Sequence, residues 1–337
     1  MLRGVPLILL VAAASLFVGC ETPAHHKSGM KAEAPAVPFL VRTNYRGWTD
    51  AIILNNGRVE AIIVPEIGRV MQFRFIGDPE GPFWDNRDLY GKMPDPNSKE
   101  WMNFGGDKAW PSPQSEWDRK TPRAWPPPAG FDAMRNQARI DDRVVTLVSP
   151  VDPNYGIRVL RRIELDLDRP VMKITTTFER ISGQPMEVGV WVISQLKSPV
   201  AVYVPVPQFT RYREGYNLQS QQLPPDFRRE GDWIVVKRDP KASHKFGTDA
   251  NRLIWMDRHQ VLVIDSPRVL VDSKYPDQES SAEVYTNQDP LAYVELEMLG
   301  PLRKTIVGDK ISRTSTYTLL PRREADPDLE AARLMAR

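Results

Sequence analysis

Residues 51–76 read AIILNNGRVEAIIVPEIGRVMQFRFI, and the fold class turns on this stretch. Ala51 to Leu54 and Arg58 to Val64 are apolar, β-branched runs. Asn55-Asn56-Gly57 joins them, and Asn-Gly supplies the positive φ angles that a tight hairpin turn requires. After Pro65-Glu66-Ile67-Gly68 a third strand, Arg69 to Ile76, follows. Its alternation places Arg69, Met71, Phe73 and Phe75 on one face.

The same pattern resumes downstream. Val144 to Val148, Ile157 to Leu167, Val171 to Arg180, Glu187 to Gln195 and Val200 to Val206 read as strands. So do Ile234 to Lys237, Arg252 to Met256, Gln260 to Ile264, Val269 to Asp272, Ala282 to Thr286, Leu291 to Met298 and Ile311 to Leu319. With no long helix between them, these strands predict an all-β protein of antiparallel sheets packed face to face. Its body would run over residues 39–322, with a short helical tail over 323–337.

Residues 77–135 interrupt the strands with almost no periodic segment, and so long an insertion in a compact domain is usually functional. At its centre Trp101 to Trp117 reads WMNFGGDKAWPSPQSEW. Pro111 and Pro113 lack amide donors and Gly105-Gly106 frees the backbone, so the segment is expected to be neither regular strand nor helix. Trp101, Trp110 and Trp117 supply flat apolar faces, while Asn103, Asp107, Lys108 and Gln114 supply hydrogen bonds. Such a loop suits a sugar, which stacks on indoles and bonds through its hydroxyls. Equally, it could be a structural plug closing one end of the β core.

A second cluster lies late in the chain. In Tyr293 to Met298, alternation puts Tyr293, Glu295 and Glu297 on one face, and the preceding strand offers Glu283 and Tyr285 in the same phase. Were the strands paired in that register, the carboxylates would repel one another and raise a pKa toward the range of a general base. The plainer reading is the solvated outer face of a hairpin. Gln195 ends an otherwise apolar run, and Lys245 sits in a glycine-containing loop.

Forty-five basic and forty-three acidic residues leave a net charge of +2, too weak a field to recruit nucleic acid. His244 and His259 have no ligand spacing around them, His25 and His26 fall in a linker, and no metal or cofactor is expected. Nucleophile-elbow, phosphate-loop and zinc-helix motifs do not occur in the sequence.

The N-terminus carries an address. Arg3, the apolar run Leu7 to Val18 and Gly19-Cys20 resemble a bacterial lipoprotein signal, with Phe17 where leucine is usual. Residues 1–19 would be removed, Cys20 lipidated, and residues 20–38 would form a flexible tether. Glu21, not aspartate, follows the cysteine, which points to the periplasmic side of the outer membrane, with the lipid as the only membrane contact.

Asn56 to Glu60 through Val64 to Val70, then Trp101 to Gln114, then Glu295 to Leu302, together resemble bacterial domain-of-unknown-function proteins of the galactose-mutarotase-like superfold. The resemblance spans roughly residues 45–320, and its most specific part is the NFGGDKxWPxPQ segment. It implies a large antiparallel β-sandwich whose concave sheet binds carbohydrate. It also implies a sugar-binding role for Arg69 and places Glu297 or Glu295 where epimerases carry a late catalytic glutamate. The epimerases' histidine acid has no counterpart, because Gln195 stands near its place and glutamine cannot protonate a ring oxygen as imidazolium does. Lys108, Lys245 or Asp107 are the substitutes on offer.

Three functions follow as expectations. One is a lipid-anchored protein holding a saccharide, for which a uronic acid would find counter-charges in Arg69 and Lys108. Another is an epimerase or lyase-like enzyme with Glu297 as base and Lys108 or Lys245 as acid. The last is a non-catalytic envelope scaffold. The oligomeric state stays open.

Overall fold

The computed structural model describes residues 39–269 and 273–335. Its strands are β1 Leu40–Tyr45, β2 Trp48–Asn55, β3 Val59–Val64, β4 Arg69–Phe75, β5 Asp107–Ser112, β6 Gln137–Asp141 and β7 Val144–Val151. There follow β8 Ile157–Leu165, β9 Val171–Arg180, β10 Met186–Lys197, β11 Ala201–Pro205, β12 Asn217–Leu218, β13 Arg228–Glu230 and β14 Trp233–Val236. The last are β15 His244–Thr248, β16 Arg252–Met256, β17 Gln260–Asp265, β18 Ala282–Thr286, β19 Tyr293–Leu299, β20 Arg303–Thr305 and β21 Lys310–Pro321.

They form two antiparallel sheets. One runs β1-β2-β3-β4-β5-β10-β19-β18-β15-β12, with β20 also on β10. The other runs β13-β14-β11-β16-β17-β21-β9-β8-β7-β6. The fold is therefore the expected all-β sandwich. One core fills the space between the sheets, where Val70, Phe73 and Val192 meet Ile163, Phe178 and Tyr317, all 3% exposed or less. Burying six such side chains stabilises by very roughly 10 kcal/mol before chain entropy is counted. The helix Pro327–Met335 closes a satellite cluster of Tyr203, Val235 and Ile254 with Ala331 and Leu334.

Four strand expectations need correction. In β4 the face predicted for Arg69, Met71, Phe73 and Phe75 is split by a bulge. Ile62 pairs with Gln72 and Ile63 with Val70, so Met71 is an extra residue on its strand. Val70 and Phe73 consequently face the other sheet, whereas Met71 packs with Trp48 and Phe104 on the opposite side. Part of the tryptophan segment is also regular, since Asp107–Ser112 is β5, in the middle of its sheet. Proline is tolerated there because Val70–Asp107 is the sole pairing between β4 and β5, so by Pro111 no ladder continues on that side. Finally, Val269 is not in a strand, residues 270–272 lie outside the described residues, and Lys245, expected in a loop, lies in strand β15 paired with β18.

Candidate functional site

Strands β5, β10, β19, β18 and β15 lie side by side, and their registers decide which side chains meet. One row runs Lys108, Ile193, Glu297, Glu283 and Gly247. The next runs Gln195, Glu295, Tyr285 and Lys245. Tyr293 pairs with Lys197 on one flank, and Trp110 with Trp191 on the other. Because period-2 alternation sends every second residue to each face, all of these stand on the side away from the second sheet. Glu283, Glu295 and Glu297 with Tyr285 and Tyr293 thus share one surface, as the late-strand alternation anticipated.

This surface is charged and mostly sealed. Lys245 Nζ lies 2.7 Å from Glu283 and 3.0 Å from Glu297, and its side chain retains 22% exposure. Glu297 Oε2 also accepts the Trp191 indole N–H at 2.7 Å. Lys108 Nζ donates to Glu295 at 3.4 Å and stands 4.9 Å above the Trp110 ring. Burial pushes the Lys245 ammonium down, but Glu283 and Glu297 outweigh it and hold the group above its usual range. Burial lowers Lys108, against the opposing pull of Glu295. Glu297 is raised well above the ordinary carboxylate range, first by burial and further by Glu283 and Glu295, with Lys245 acting in the other direction. Three carboxyl groups, Glu283, Glu295 and Glu297, thus share the strip with two lysines.

The insertion 77–135 covers one end of this face. Phe83 bridges to Leu196 and Asp85 to Gly105, so the loop is stitched to the sheet. Gly105 and Gly106 hold φ of 90° and 71°, and a Cβ on Gly105 would stand 2.2 Å from the Trp84 carbonyl oxygen. Only glycine fits that approach. Asp132 then ties the flap down: Oδ1 accepts Arg69 at 2.6 Å and the Trp110 indole at 2.8 Å, while Oδ2 accepts the Trp101 indole at 2.8 Å. Trp101, Trp110, Trp117, Trp125 and Trp191 form one aromatic cluster, with neighbouring rings 5.2–6.4 Å apart.

Several sequence-derived site residues are therefore placed elsewhere. Asp107 faces the second sheet, where it accepts from Arg161, Ser194 and Tyr317, because it precedes Lys108 in a strand and must point the opposite way. Trp110 and Trp117, at 3% and 0% exposure, are core rather than platforms, because neighbouring indoles and, for Trp110, Lys108 pack around them. Arg69, at 1% exposure, is occupied by Asp132 and the Gly105 carbonyl. Gln114 opens a surface turn, exposed and without a hydrogen bond to the other candidates. Trp101 keeps partial exposure at the flap edge. Cys20 lies outside the described residues.

What remains is a group of buried polar atoms lacking partners. Gln195, 0% exposed, forms no hydrogen bond of normal geometry through either amide atom, and Asn103 Oδ1 and Glu297 Oε1 are also unpaired. Asn103 and Gln195 both act on the Tyr293 phenol, which burial drives well above its usual range. Trp84 stacks on Tyr293 at 4.7 Å, and Tyr285 lies 6.3 Å away on the other flank. Asp132, Asp277 and Gln219 were not found from sequence. Gln219 donates to Glu283 at 2.8 Å, and Asp277, raised to about 6 by burial and by Glu283, lies beside it. Asp132 and Asp277 lie in single-turn helices, Ala129–Asp132 and Pro276–Glu279, and Gln219 just after β12, all too short to carry a periodic signal. Among the described residues, no group of three His, Cys, Asp or Glu side chains is arranged to hold a metal ion.

With this geometry in hand, comparisons with known proteins become informative. A family model described as a domain of unknown function, DUF4380, matches residues 49–320. No curated protein sequence matches the chain. Among solved structures, a galactose mutarotase-like protein from Lactobacillus casei superposes with TM-score 0.53 at 9% identity, covering 80% of this chain and 100% of its own. A candidate aldose 1-epimerase from Escherichia coli K12 gives 0.52 at 12% identity, covering 81% and 99%. A candidate mutarotase from Salmonella typhimurium gives 0.54 at 10%, covering 85% and 95%. At such identities the likeness is one of fold.

Proposed function

Because the chain belongs to the DUF4380 family and carries the mutarotase-like β-sandwich, we propose that it binds a neutral, hydroxyl-rich saccharide at the open edge of the carboxylate face. The observation that carries this reading is the buried amide of Gln195, which touches the Tyr293 phenol but makes no hydrogen bond of normal geometry. A buried amide so incompletely satisfied is costly, by about 1–3 kcal/mol at most, and a ligand hydroxyl is a natural partner for its remaining capacity. Asn103 Oδ1 offers a further acceptor, and Trp84 and Tyr285 are the partly exposed aromatic faces beside it. Lys245 donates from the rim.

A uronic acid is disfavoured. The two cations nominated as its counter-charges are already committed, Arg69 to Asp132 and Lys108 to Glu295.

A second reading, sugar epimerisation, is favoured by one feature: Glu297 has a raised carboxyl and a free Oε1, as a general base needs. Against it, Glu297 is 1% exposed and its other oxygen is held by Trp191 and Lys245.

On the sequence pattern at residues 1–20, we also assign the chain to the periplasmic side of the outer membrane, anchored through a lipid on Cys20.

Ligand-observed NMR across neutral monosaccharides tests the binding. Saturation transfer to at least one sugar, lost in Lys245→Met without unfolding, supports it. A flat screen with the folded protein contradicts it. Exchange between anomers in the same tubes, abolished by Glu297→Gln, would promote the enzymatic reading.

A further inference from the structure

The two sheets present their terminal strands, β1 and β6, on either side of an open cleft of about 810 Å³. Arg42 of β1, Asp50 of β2, Arg135 of the connection before β6, Arg139 of β6 and Arg158 of β8 line it. Four guanidinium groups thus line the cleft, with Asp50 as the one carboxylate among its lining residues. Asp50 is shared, with Oδ1 taking Arg42 and Oδ2 taking Arg135 at 3.0 Å. Arg158 reaches only Glu179, at 3.9 Å. Arg139 is exposed and has no ion pair or hydrogen bond among the described residues.

We propose that this seam is an oxyanion-binding site for carboxylate or phosphate groups carried on an acidic oligosaccharide. The guanidinium fork matches both anions bidentately, and an excess of such forks in one concave space is the arrangement that recognises them. Arginine on an edge strand also deters pairing with foreign strands. That role accounts for Arg42 and Arg139 but not for Arg135 and Arg158, which lie off the edge strands and still line the cleft. The volume exceeds what one phosphate fills and suits several linked sugar units. The seam is rich in guanidinium groups where the Glu283–Glu297 face is rich in carboxyl groups, so the two sites differ in chemistry. The proposal does not depend on sugar binding at that face.

The test titrates the full chain with tetragalacturonate, inorganic tripolyphosphate and phosphatidylglycerol vesicles, with neutral maltotetraose as control. At least one anionic probe is expected to bind, more weakly as salt rises, and at least tenfold more weakly in Arg139→Ala/Arg158→Ala. The pair is solvent-exposed, so the double variant should melt as the parent does, and circular dichroism checks this. Preference for tetragalacturonate over the phosphate probes identifies a glycan carboxylate, and the reverse a phosphate source, with vesicles reporting a lipid headgroup. Absence of binding to every anionic probe, or equal affinity in the folded double variant, overturns the proposal.

Discussion

Asp107 and Lys108 are consecutive residues of one strand and serve opposite faces of the same sheet. Asp107, fully buried, joins Arg161 and Tyr317 of the second sheet, while Lys108 reaches Glu295 across two strands of its own. The loop that seemed to offer both to a ligand offers one to the core. Asp107→Ala would strand Arg161, 3% exposed, without its carboxylate. Loss of one partner of such a buried pair typically costs about 3–5 kcal/mol, and chemical denaturation should find a cost of that order. Sugar binding, measured below the melting range, should survive. A cost under about 1 kcal/mol, or loss of binding with the fold intact, would refute this placement.

Asp132 is the clasp of the flap. Asp132→Ala removes three hydrogen bonds at once and leaves Arg69 buried, so a loss of about 3–5 kcal/mol is expected. Tryptophan fluorescence should shift as Trp101 and Trp110 lose their indole partner. Asp132→Asn keeps one acceptor oxygen and should fall between parent and alanine variant. Equal stability of all three proteins would count against the clasp.

Stability should depend on pH through Glu297. Its folded pKa is raised, chiefly by burial, so near and above the ordinary carboxylate value the folded state binds more protons than the unfolded one. The contribution of this group is fully present below about pH 4.3 and is lost as pH rises through the folded value. Glu297→Gln, which cannot ionise, should therefore gain on the parent as pH rises above the ordinary carboxylate value. Urea melts at several pH values read this directly. Parallel stability profiles for the two proteins would exclude it.

If Cys20 carries the anchor, Cys20→Ser should abolish palmitate incorporation and move the protein from the membrane fraction to the soluble periplasm. Undiminished labelling, or membrane retention of the serine variant, would contradict the assignment.

Period-2 alternation made the sandwich legible, and it correctly grouped Glu283, Glu295 and Glu297 with Tyr285 and Tyr293. It could not reveal the extra residue Met71, because a bulge leaves no mark in the hydrophobic pattern and yet reverses every face before it. Nor could it separate a tryptophan platform from a tryptophan core. That distinction depends on what packs around each ring, and Trp191 comes from β10, outside the insertion. Asp132 was invisible for a related reason: a lone aspartate in an aperiodic insertion acquires its role only when the chain brings it to Arg69, 63 residues away in sequence.

The central claim is that the incompletely satisfied amide of Gln195 is completed by a sugar hydroxyl. A crystal structure of the protein soaked with the tightest-binding neutral sugar tests it most directly. The account predicts a pyranose in contact with the Gln195 amide and flanked by Trp84 or Tyr285, with Lys245 at its rim. Density showing only ordered water against Gln195, with the sugar absent or bound elsewhere, would contradict it.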